Sequence, residues 1–93
     1  MEYEWDNKKN ESNIAKHGFP LSLAVYVFRD KNRTEVEDDR KDYGEPRYLT
    51  YGMIRGRLFC VCYTLRDEAR RIISVFPISK KKKDLYYGDS KDD

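Results

Sequence analysis

The chain predicts an α+β fold: an antiparallel sheet with two N-terminal helices and one C-terminal helix packed on it. Helical spacing of apolar residues is confined to the first third of the sequence, and three strand-like runs between residues 47 and 76 follow one another across short turns. A last segment then opens at Ser79, a residue type that caps helices.

The elements follow in order. Asp6 stands at an N-cap position for a helix over Asn7 to His17, which Gly18 ends by tolerating the left-handed conformation and Pro20 prevents from resuming. Leu21, Ala24, Val25 and Phe28 fall at helical spacing, and Leu23 and Val27 widen the stripe, so a short, largely buried second helix is expected. Thr34 to Glu37 reads as a short edge strand, and residues 38 to 46 as an exposed loop. Arg47 to Ile54 alternates, and Arg55-Gly56 supplies a hairpin turn. The continuous apolar run Leu58 to Tyr63 fits a central strand covered on both faces. Arg70 to Phe76, rich in β-branched residues, makes the next strand, and Pro77 closes it. The final helix is expected from Ser79 through Tyr87, with residues 88 to 93 a frayed polar tail.

Ninety-three residues allow one domain, 1 to 93, with a modest core, because a chain of this size buries only about 60 to 65% of its unfolded surface. No apolar run approaches the length of a spanning helix, and Met1-Glu2-Tyr3-Glu4 lacks the character of a signal peptide, so a cytoplasmic protein without a membrane role is expected. Cys60 and Cys62 are two apart in a strand, hence on one face and badly spaced for a disulfide. With one histidine and no further cysteine they argue against a metal site. Net charge hides an asymmetry: residues 1 to 46 carry 8 Lys/Arg against 11 Asp/Glu, residues 47 to 83 carry 10 against 2. That basic half suits a phosphate-rich ligand or an acidic protein surface, or is simply a solvated face.

Several motifs in sequence order point further. The run Trp5-Asp6-x-x-Lys9-x-x-x-Asn13-x-x-Lys16-His17-Gly18, the segment Glu45-x-Arg47-Tyr48-x-x-x-Gly52, the hairpin from Gly56-Arg57-Leu58 to Tyr63-Thr64-x-Arg66, and Arg71-Ile72-Ile73-Ser74 together resemble the BrnT toxin family. The resemblance spans residues 3 to 87. It implies a RelE-like ribonuclease fold, growth inhibition through metal-independent RNA cleavage without a cofactor, and neutralisation by a ribbon-helix-helix antitoxin of the BrnA type, with DNA contacted only through that antitoxin. Two positions depart from the family pattern: Phe76 stands where an arginine is usual and Lys82 where a glutamate is usual.

RNA cleavage needs a group to take the 2′-hydroxyl proton, cations for charge building on phosphorus oxygens, and an acid for the leaving oxygen. Arg47, Arg66 and Arg71 lie at ends of neighbouring strands and are candidates to grip a phosphate; pairing with Glu45, Asp67 or Glu68 is their structural alternative. His17 is the only histidine, the one side-chain type that ordinarily transfers protons near neutrality. It suits an acid or phosphate clamp, or simply complements the helix end. Tyr86 either packs or meets the RNA. Lys9, Asn13 and Lys16 share one helical face, and with Lys80 and Lys81 are candidate RNA or antitoxin contacts. The competing function is a catalytically degenerate homologue that only binds antitoxin or RNA, motivated by Phe76 and Lys82.

Overall fold

The computed structural model describes residues 1–79. The elements are β1 (Glu2–Glu4), α1 (Asn7–His17), a 3₁₀ turn (Leu21–Leu23) running into α2 (Ala24–Val27), β2 (Thr34–Glu37), β3 (Tyr48–Ile54), β4 (Arg57–Arg66) and β5 (Ala69–Pro77). The strands form one sheet in the order β1-β5-β4-β3-β2, so the long apolar run lies at its centre.

Two features correct the sequence expectation. The sheet is mixed rather than antiparallel, because β1 pairs parallel with β5, Tyr3 opposite Arg70 and Glu4 opposite Arg71. A three-residue strand has too little alternation to be read from sequence, and its partner is some 65 residues away. The described residues hold two helices rather than three, and the segment expected as the third, to Tyr87, falls outside them from Lys80 onward. The second helix is also shorter than expected, since Leu21–Leu23 takes the tighter 3₁₀ form.

The ends of α1 follow from its sequence. The Asp6 carboxylate accepts from the Lys9 amide at 3.3 Å, and Gly18, at φ 84°, donates its amide to the Ile14 carbonyl. α1 runs along the edge of β5, whereas the 3₁₀ turn and α2 lie on one face of the sheet. There Leu21, Ala24, Val27 and Phe28 meet Phe59, Val61, Tyr63, Ile72 and Val75 in the main core. Each fully buried aliphatic side chain among them contributes about 1.5–3 kcal/mol. Gly52 allows the close fit: a Cβ there would sit 2.9 Å from both Cγ1 and the carbonyl oxygen of Val27. The opposite face carries a smaller apolar group of Tyr51, Leu58 and Cys60 with Leu49, Met53, Phe76 and Ile78.

Side chains satisfy the sheet where flanking strands stop. β1 pairs with β5 only as far as Arg71, and beyond it Asn13 of α1 takes the place of a strand. Its Oδ1 accepts from the Val75 amide at 3.1 Å, while its Nδ2 donates to the Val75 carbonyl and the Phe19 carbonyl, each at 2.8 Å. At the other side, β2 ends its pairing at Tyr51, and Asp30 accepts from the Met53 amide at 2.7 Å.

Candidate functional site

The face opposite α2 gathers cations from three neighbouring strands and their ends. Strand alternation puts Arg66 and Thr64 of β4 on the same face as Cys60 and Cys62, and the register sets Arg71 of β5 beside Thr64. Arg47, immediately before β3, alternates with Leu49 and Tyr51 on that face. Arg47, Arg66 and Arg71 thus form a row across three neighbouring strands, at the end of the sheet nearest the Asp67-Glu68 turn.

Each arginine of the row has a carboxylate. Glu45 bridges two of them, its Oε2 3.4 Å from Arg47 Nε and its Oε1 3.7 Å from Arg66 Nη2, and Glu4 lies 3.2 Å from Arg71 Nη1. Pairing with Glu45 realises one of the sequence alternatives; Glu4 takes the part expected of Asp67 or Glu68. These contacts run from 3.2 to 3.7 Å and are partly solvent-accessible, and such pairs contribute no more than about 1 kcal/mol. They orient the guanidinium groups without burying them. The Arg47 guanidinium also lies 4.2 Å from the centre of the Tyr43 ring.

Beneath the row, the loop from Asp38 to Pro46 is held by a buried carboxylate. Asp38 accepts from Arg40 Nε at 2.7 Å, Arg40 Nη2 at 2.8 Å and the Tyr43 hydroxyl at 3.2 Å. The Arg40 guanidinium beside it holds its carboxyl down at about 2. The Asp38 amide donates to the Arg47 carbonyl at 2.7 Å, so this lock also places the start of the row. Thr64 ties the same loop to β4 by donating to the Pro46 carbonyl at 2.6 Å.

His17 lies apart from the row. Its ring stacks on Phe76 with centroids 5.3 Å apart, and Phe76 is five residues along β5 from Arg71, roughly 15 Å at the extended spacing of a strand. The row and the histidine therefore belong to two clusters. Lys9 and Lys16 accompany His17 at a pocket against Ile73 and Ser74. Asn13, the third member of that helical face, is buried and spends its amide on the backbone. Lys80, Lys81 and Tyr86 lie outside the described residues.

Sequence reasoning gave no role to Glu4, Asp38, Arg40 or Tyr43, and met Glu45 only as part of a motif and as a partner for arginine. The Asp38-Arg40 spacing was visible, but its meaning depends on burial that the loop acquires only against the sheet. The cysteines are free and buried among these groups, and burial pushes the Cys60 thiol up to about 12 and raises Cys62 as well. They are packing residues rather than nucleophiles. Among the described residues no three His, Cys, Asp or Glu side chains gather as around a metal ion, and no helix is long and apolar enough to cross a membrane.

Comparison with known proteins agrees with the motifs. No curated protein matches the chain. A family model described as the ribonuclease toxin BrnT of type II toxin–antitoxin systems matches residues 5–82, which takes in α1, α2, β2 to β5 and the whole arginine row. The chain belongs to the BrnT family of ribonuclease toxins.

Proposed function

We propose that this protein is a metal-independent endoribonuclease that binds RNA across the sheet face opposite α2, acts in the cytoplasm, and inhibits translation and growth. The observation that carries the reading is the row of Arg47, Arg66 and Arg71 on that face, pre-oriented by Glu45 and Glu4. Guanidinium groups from three strands converge on the charge that builds on a phosphate during attack by the neighbouring 2′-hydroxyl. Glu45, held between two of them, is the carboxylate best sited to accept that hydroxyl's proton once RNA has displaced it from the arginines. A ribbon-helix-helix antitoxin of the BrnA type neutralises the protein by covering the same row, and DNA is met only through that antitoxin.

The test is RNA cleavage by the purified protein. Arg66→Ala and Arg71→Ala should each lower the rate by about 10² to 10³, the usual loss for one preorganised donor. EDTA should leave cleavage unchanged; abolition by EDTA with restoration by a divalent ion overturns the mechanism.

A second reading, a degenerate toxin that binds antitoxin or RNA without cutting, is favoured by Phe76. The aromatic side chain at this position belongs to the apolar group on the open face and lies under His17, where the family pattern has a cation. Growth arrest on induction separates the two readings, and a silent wild type that gains cleavage on Phe76→Arg supports the second.

A further inference from the structure

We propose that the pocket between α1 and the edge of β5 holds a second phosphate of the bound RNA and so sets the register in which the strand crosses the arginine row. The proposal rests on the reading of the protein as an RNA-cleaving toxin. Asn13 fixes the rotation of α1 by bonding both polar groups of Val75. With the helix pinned there, Lys9, Lys16 and His17 are set along the edge of β5 together with Ser12. Ser74 closes the pocket from the strand side. It is paired with Cys62 just past a register shift that inserts Ile73, and this turns it to the same face as the arginine row.

Three features make this a phosphate site. The lining holds two lysines, a histidine and two hydroxyls, and no carboxylate. Among the described residues neither Lys9 nor Lys16 has an ion-pair partner, whereas every arginine of the row has one. The hollow measures about 150 Å³, the scale of a phosphate group and well below the roughly 300 Å³ at which pockets for larger ligands begin. Its position completes the case. Ser74 is three residues from Arg71 along β5, roughly 10 Å, so an extended strand leaving the row passes over Cys62 into the pocket. Backbone contacts of this kind fix register and orientation without reading sequence.

The experiment is a salt titration of binding to a non-cleavable 2′-O-methyl oligonucleotide, followed by fluorescence anisotropy. In Lys9→Ala/Lys16→Ala the slope of log K against log salt should become shallower by about 0.7, the change expected when one phosphate contact on a single strand is lost. A charge-matched control, Lys8→Ala/Lys31→Ala, removes two exposed lysines from elsewhere and should keep the wild-type slope. Ser74→Ala should weaken binding with the slope unchanged, because it removes a hydroxyl and no charge. A folded Lys9→Ala/Lys16→Ala protein with wild-type affinity and slope overturns the proposal. So does one that keeps its RNA affinity but loses a ribbon-helix-helix antitoxin encoded beside it, which would make the pocket a protein-docking site. Failure of the underlying reading looks different: Arg66→Ala and Arg71→Ala would then leave cleavage untouched.

Discussion

Replacing Asn13 by alanine tests whether this residue is architecture or ligand. Its carboxamide serves the Val75 amide, the Val75 carbonyl and the Phe19 carbonyl. Phe19 is partly exposed, so water replaces that bond, but Val75 is fully buried and its two backbone groups are left without partners. Each orphaned group costs about 1–3 kcal/mol, giving a loss of about 2–6 kcal/mol for the two. A chain of 93 residues is stable by about 5–14 kcal/mol, so the variant sits close to the edge of folding. In urea denaturation followed by circular dichroism the midpoint should fall with the slope m unchanged, and Tm should drop by more than about 8 °C. Asn13→Asp should do no better, because it keeps the acceptor for the Val75 amide but sets a charge against two carbonyl oxygens. Lys9→Ala and Lys16→Ala, on the same helical face but exposed, should stay within about 0.5 kcal/mol of wild type. A loss below about 1 kcal/mol for Asn13→Ala, with RNA affinity falling instead, would refute the architectural assignment.

The Asp38 lock predicts a pH dependence. Its carboxyl is held below its ordinary value by Arg40, so it stabilises the fold above pH about 4, and that contribution of about 1–2 kcal/mol disappears as pH falls toward about 2. Asp38→Asn should lower stability at pH 6 and flatten the acid limb of the stability profile; an unchanged limb would remove the lock from the argument. Gly52→Ala forces a Cβ against the Val27 carbonyl oxygen and should cost about 1–3 kcal/mol by the same urea assay, whereas a neutral result would mean that α2 is free to shift. His17→Ala should weaken oligonucleotide binding and raise KM, with a small effect on kcat, because the ring stands apart from the row. A fall in kcat of about 10² or more would instead make it the general acid.

Much of the fold is legible in residue order because it rests on local chemistry. The Asp6 cap, the left-handed Gly18, the Arg55-Gly56 turn with both residues at positive φ, and the continuous apolar run of β4 depend on neighbours within a few positions. The same holds for the family: its motifs are short, contiguous and in order, and the matched region covers them. The candidate site is legible only in part. Arg47, Arg66 and Arg71 can be nominated from their places at strand ends, since strand alternation and hairpin turns carry them to one face.

The sequence by itself determined α1 with its caps, the hairpin turns, the central position of Leu58 to Tyr63 and the placing of Arg47, Arg66 and Arg71 at neighbouring strand ends, because periodicity and turn chemistry act over a few residues. Only the tertiary structure decided that β1 joins the sheet in parallel, that Asn13 is consumed by Val75, and that His17 lies away from the arginines. Asn13 and Val75 are 62 residues apart, and nothing in the residues around either one records their meeting. An amide at an exposed-looking helical position is read as a solvated contact until the strand beside it stops. Its two unpaired backbone groups then need a partner, and the helix supplies one.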